Sequence, residues 1–306
     1  MKNNLFPRTV LGITTVLFLT LFMSGCGSGG SKDPTVPVLD ITQVDESVIQ
    51  DVKEAERIFY SLPSPLESAM LIKSAGARFN EDLLNPTEST SKYSTNRAMA
   101  LNLGIFTCDL SFSSLYDQTQ LVIEYMSAAK KMADGLGILD AINEETINRL
   151  EENVNNREVI MDIVSETFLN SNSYLEDNEQ PAIASIVLVG GWVEGLYIAT
   201  QLVDMEEFDS DKLVGRIIDQ KLSVDIMLKL LEDNNEHPAV NEIIGQMREL
   251  KTVFDKIILK TSRIKAEIDE TTNVTVLRSE VTSNMTPEVF IELAEKVSEI
   301  RSSYVN

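Results

Sequence analysis

Histidine, tryptophan and cysteine are nearly missing from this chain. His237 is the single histidine among 306 residues. That excludes metal centres built on several imidazoles. Any histidine-dependent mechanism would rest on one side chain in the acidic turn EDNNEHP, which reads as a surface lead-in to the next helix. Two cysteines, Cys26 and Cys108, are too few for a disulfide framework. One tryptophan is little for an enzyme that stacks sugars. Basic residues are scarce too: 26 Lys and Arg stand against 48 Asp and Glu, for a net charge of −22. Phosphate backbones repel such a polyanion, so nucleic acid is not an expected partner. Among motifs, H-E-x-x-H, a phosphate loop and a local Ser-His-Asp or Cys-His arrangement are all lacking. The acidic run Glu206 to Asp211 lacks the alternating geometry of a dedicated calcium loop and reads as a solvated face. No cofactor or metal is expected, and no catalytic residue is assigned.

What is present begins at the amino terminus. The first residues read MKNNLFPRTVLGITTVLFLTLFMSGC. Lys2 and Arg8 form a basic region, Val10 to Met23 an apolar one, and Ser24-Gly25 precede Cys26, which is the layout of a secretory signal. With the cysteine in that place the segment resembles a bacterial lipoprotein signal. Met23 stands where that family most often has leucine. The resemblance implies a signal peptide over 1–25, removed in the mature protein, and acylation of Cys26 by diacylglyceryl and palmitate-like chains. Two or more chains anchor stably, each buried methylene contributing about 0.8 kcal/mol. The alternatives are a plain transmembrane helix, for which the apolar stretch is short, and an ordinary cleaved signal. Loss of Lys2 and Arg8 leaves 24 basic and 48 acidic residues, a net −24.

Residues 26–39 comprise the lipidated cysteine and a Gly, Ser and Pro-rich tether. Extended, it reaches about 50 Å. Gly27 after the cysteine implies, by analogy with lipoprotein sorting, the outer membrane, with the periplasmic face favoured over the cell surface. Lys32-Asp33 faintly resembles a surface-export tag.

From residue 40 to 306 the dominant period is helical. Leu121, Val122, Tyr125, Met126, Ala129, Met132 and Leu136 share one face of a 3.6-residue repeat, and Gly137 is placed as its stop. Similar stripes run over 157–175, 211–232 and, longest, from Pro238 to about Ile268. Thr286-Pro287 opens a last helix as cap and first-turn proline, with Phe290, Leu293 and Val297 inward. Further helices are expected at about 41–60, 64–79, 95–116 and 140–155, and loops at 81–93, 176–181, 204–210 and 233–238. The Thr- and Val-rich segment 271–284 suits either a short strand pair or an irregular excursion. The expected fold is all-α, a single domain of about nine or ten antiparallel helices.

The centre of that domain is expected at 182–203, AIASIVLVGGWVEGLYIATQLV, with one charge, Glu194, in 22 residues. The length permits a membrane span. Acidic flanks (Glu176, Asp177, Glu179, then Asp204, Glu206, Glu207) supply no basic anchor, so a buried central helix is the better reading. Gly190, Gly191 and Gly195 each cost up to about 1 kcal/mol in a helix, which close approach of a neighbouring backbone justifies. A carboxylate there must be paired, hydrogen-bonded or protonated. Arg78, Arg97, Lys73 and tyrosine hydroxyls are the candidate partners. Two readings follow. Glu194 is a structural ion pair or part of one exposed stripe on a helix end, or it joins Trp192, Tyr197 and Asp109 in a ligand pocket. Cys108, beside Asp109, reads as a small buried hydrophobe rather than a nucleophile.

Three stretches, YSLPSPLESAMLIKSAGARFNEDLLNP (60–86), ALNLGIFTCDLSFSSLYDQTQ (100–120) and GGWVEGLYIATQL (190–202), together resemble a group of uncharacterised helical lipoproteins of the Bacteroidetes. The resemblance implies an envelope location and carries no activity. The function expected is a lipid-anchored binding or scaffold module for an envelope protein partner or a small ligand. A carboxylate-dependent enzyme around Glu194 is the alternative.

Overall fold

The helical pattern from Pro65 onward rests on local stop and start signals. In a computed structural model, residues 63–138, 144–153, 155–177, 180–261, 265–269, 274–278 and 281–306 are described. The expected signal peptide, Cys26, the tether and the helix at 41–60 lie outside them.

Helix α1 (Pro65–Ser74) opens on a capping box: Ser64 Oγ accepts from Glu67 N–H, and the Glu67 carboxylate accepts from Ser64 N–H. Two short 3₁₀ turns, Glu81–Leu83 and Thr87–Lys92, occupy the stretch expected as a plain loop. Helix α2 (Asn96–Leu115) is capped by Thr95. Helix α3 is Thr119–Gly135, α4 Glu144–Glu152 and α5 Arg157–Asp177. The apolar run forms α6 (Pro181–Gln201). Helices α7 (Lys212–Glu232) and α8 (Pro238–Phe254) follow, capped by Asp211 and by the exposed His237, whose Nδ1 accepts from Ala239 N–H. Helix α9 (Pro287–Val305) starts, as expected, on Thr286 and Pro287. Gly137 takes a positive φ of 71° just past α3, the left-handed stop the sequence suggested. The described residues thus hold nine α-helices in one all-α domain.

The helix expected at 64–79 ends early, at Ser74, and the longest expected helix is cut short too. The helix from Pro238 does not run to Ile268; it ends at Phe254. The chain then forms β1 (Leu259–Thr261), β2 (Lys265–Asp269), β3 (Val274–Arg278) and β4 (Val281–Ser283). β1 pairs antiparallel with β4, and β2 with β3 in the register Lys265 to Arg278 through Asp269 to Val274. Ile257, Ile258, Ile264 and Ile268 kept a helical period by chance, across residues whose β-branched neighbours favour strands. Tertiary contact fixes the break: Lys221 Nζ on α7 donates to the carbonyls of Phe254 (3.0 Å) and Ile257 (2.6 Å). Asn284 clamps the base of the ribbon, its Oδ1 accepting from Ile258 N–H at 2.5 Å.

The core is organised on α2 and α6, which make the most extensive helix–helix contact. Both are long and apolar enough to cross a membrane, yet 89% of each apolar window is buried inside the bundle. Glycine permits the closeness of their crossing. A Cβ at Gly104 would strike the Val187 carbonyl, and one at Gly190 the Leu101 carbonyl. Gly191 and Gly195 face α1, where a Cβ would lie 2.7 Å from Pro65 Cγ and 2.6 Å from Ser68 Cβ. Gly190 and Gly191 therefore serve the close backbone approach expected of them, to which α2 contributes Gly104, whereas Gly195 makes room for the side chains of Ser68 and Cys108.

Candidate functional site: a buried carboxylate cluster

Helix α6 carries Glu194 into the middle of the domain, where its exposure is 0%. Its partner is none of the basic residues expected. Arg97 pairs with Glu242 on α8, Lys73 donates to the Leu115 carbonyl, and Arg78 is exposed. Glu194 is instead held by Arg301, 107 residues later on α9. Arg301 Nε donates to Oε2 at 2.9 Å and Nη2 to Oε1 at 3.0 Å, a bidentate pair. Nη2 also reaches the Leu83 carbonyl at 3.3 Å, and the guanidinium lies 4.7 Å from the centre of the Tyr197 ring. Burial works against the charge on Arg301, but attraction to Glu194 and the hydrogen bonds outweigh it and hold its pKa above the ordinary value.

Asp109 on α2 joins the same cluster and is also fully buried. Its Oδ2 accepts from Asn85 N–H at 3.1 Å, while Oδ1 receives no hydrogen bond. Burial first, then the charge of Glu194, push the Asp109 carboxyl well above the usual carboxylate range. Arg301 and the Asn85 N–H pull the other way and lose. Asp109 therefore holds its proton to higher pH than an ordinary carboxyl. A proton on Oδ1, donated towards Glu194, accounts for the oxygen that no donor reaches. Burial, Asp109 and Glu194 together raise the neighbouring Cys108 thiol, so this buried free cysteine stays protonated, as a hydrophobe rather than a nucleophile.

Around the carboxylates runs a ring of neutral hydrogen bonds. Asn85 Nδ2 donates to Tyr93 Oη (3.1 Å) and to Asn102 Oδ1 (3.0 Å). Asn102 Nδ2 donates to the Tyr304 carbonyl (2.9 Å), and Tyr93 Oη to the Val305 carbonyl (3.2 Å). These are last-turn carbonyls of α9, which lack helical partners and here find buried side chains. The cluster thus ties α2, α6, the 3₁₀ region and the end of α9 together.

Of the four residues expected to share a pocket, the structure brings Glu194, Asp109 and Tyr197 around Arg301. Trp192 goes elsewhere. Its Nε1 donates to Gln220 Oε1 on α7 at 2.9 Å, and its ring lines a separate cavity of about 30 Å³ with Ile72, Leu196 and Leu213. Neither Glu194 nor Asp109 lines that cavity, nor an apolar one of about 60 Å³ between α2, α3 and α5. Sequence reasoning missed Arg301, Asn85, Asn102 and Tyr93. The signal for Arg301 was present: Phe290, Leu293, Val297, Arg301 and Tyr304 continue one inward stripe at steps of three and four.

No family model, curated protein or solved structure matches this chain.

Proposed function

We propose that this protein is a lipid-anchored, acidic binding or scaffold module of the cell envelope, of the kind the resemblance to Bacteroidetes lipoproteins implies. In this reading Cys26 is acylated, the tether holds the helical domain off the outer membrane at its periplasmic face, and the domain engages a protein partner or a small ligand. The observation that supports binding over catalysis is the sealing of the carboxylate cluster. Glu194 and Asp109 are wholly buried, and the Arg301 side chain above them is 11% exposed. A substrate would have to break a bidentate ion pair to engage Glu194. The raised pKa of Asp109 beside a second buried acid is the one feature that favours the carboxylate-dependent enzyme. The ribbon adds a surface suited to partners. Among the described residues each of its two strand pairs has unpaired outer edges, and such edges accept an added strand.

Membrane fractionation tests the anchor. Cys26→Ser should move the protein from the membrane pellet to the soluble fraction. Retention in the pellet would overturn the acyl anchor and point to an apolar segment instead.

A further inference from the structure

A polar cavity of about 180 Å³ lies where the end of α2 meets the starts of α3 and α5. Ser114, Asp117, Gln118, Thr119, Asn155 and Arg157 line it. Its volume is comparable to the ~150 Å³ of a protein cavity that takes benzene, so a phosphate or a small carboxylic acid fits.

Four observations give the cavity one preference in charge. Helix α3 begins there with no side-chain cap and no acidic residue in its first turn. Its first N–H groups have no helical partners, and 17 residues of aligned peptide dipoles stand behind them. Arg157, the first residue of the 21-residue α5, adds a guanidinium from the other wall. Its contact with Asp117 is 3.6 Å, longer than the 2.7–2.9 Å of a charge-assisted hydrogen bond. That leaves the fork's donors for a closer acceptor. The Ser114 hydroxyl supplies the independent sign. Ser114 is 3% exposed, and its Oγ has no partner. Thr107 and Ser111 on the same helix donate to the carbonyl four residues back, at 2.7 and 2.8 Å. Ser114 makes no such bond, so a buried donor is left for something in the cavity.

We propose that this corner is a binding site for a small oxyanion, the phosphate or carboxylate group of a small molecule. The anion is held by the α3 N-terminal N–H groups, the Arg157 guanidinium and the Ser114 hydroxyl. Asp117 is the competing acceptor: it holds Arg157 while the site is empty and releases it to the ligand. Glu158, in the first turn of α5, and Glu152 are carboxylates close by in sequence that do not line the cavity. The site is remote in sequence from the expected lipidation residue and does not depend on the anchor.

Isothermal titration of the full chain in detergent tests this, with inorganic phosphate and succinate as separate probes and chloride as the control at constant ionic strength. Saturable binding of phosphate, of succinate or of both is expected, and the stronger probe identifies the oxyanion class. Arg157→Gln and Ser114→Ala should each weaken it, the first by about tenfold or more. Asp117→Asn should tighten it several-fold, because it removes the competing charge while asparagine tolerates the φ of 58° at that position. Opposite signs from Arg157→Gln and Asp117→Asn, two residues in contact, exclude simple misfolding as the cause. The proposal is overturned if neither probe binds saturably up to about 10 mM. It is equally overturned if chloride matches them, or if Arg157→Gln and Asp117→Asn both bind as the parent does.

Discussion

Burial and the charge of Glu194 raise the pKa of Asp109, and that shift dictates how stability responds to pH. Its pKa is higher in the folded chain than the value of about 3.9 in an unfolded one. The contribution of its bound proton is fully present below that unfolded value, and is lost as pH rises through the folded one. An asparagine keeps the same hydrogen bonds without a proton to hold: its oxygen accepts from Asn85, and its amide donates towards Glu194. Asp109→Asn is therefore expected to unfold at much the same temperature as the parent near pH 4. It should become progressively more stable than the parent towards pH 8. Paired melting curves across that range check this. A difference that does not change with pH would mean that Asp109 is ionised in the fold. Asp109 and Glu194 were visible in the sequence as polar residues in apolar helices. Arg301 was not connected to them, because nothing local links two residues 107 positions apart.

At the scale of elements, the crossing of α2 and α6 and the ribbon sit at opposite ends of a range of coupling. Gly104 meets backbone on the facing helix, which has no side chain to move aside. Gly104→Ala gains about 1 kcal/mol of helix propensity, but forces two backbones apart. A net loss of about 3 kcal/mol or more is expected in urea denaturation. The ribbon is the contrary case, since its strands pair with each other and no helix packs extensively on them among the described residues. Replacing residues 259–283 by a short turn between Ile258 and Asn284 should leave the melting temperature of the helical domain within a few degrees of the parent. A collapse in stability would show the ribbon to be part of the core. The helices were legible because caps, prolines and 3.6-residue stripes agree over long segments. The ribbon was not, because Ile257 to Ile268 imitates a helical stripe and the signal that ends α8 comes from Lys221 on another helix.

For the whole molecule, the sequence carried the all-α class, the buried position of α6 and the reason for two of its three glycines. Its single charge in a long apolar run drew attention to Glu194, and its acidic flanks set a membrane span aside. What it could not carry was closure of the domain by its own last helix. Arg301 and the carbonyls of Tyr304 and Val305 are all bound by side chains from the first third of the described structure or from α6. The carboxylate cluster thus acts as a lock between the ends of the fold. A double-mutant cycle on Glu194 and Arg301 in denaturant measures that lock directly. Glu194→Leu and Arg301→Met are each expected to cost about 3–5 kcal/mol, because each strands the other charge inside. The double variant should cost much less than the two singles together, a coupling of more than about 2 kcal/mol. Additive losses, with no coupling, would contradict the lock and return Glu194 to the list of residues free to act on a ligand.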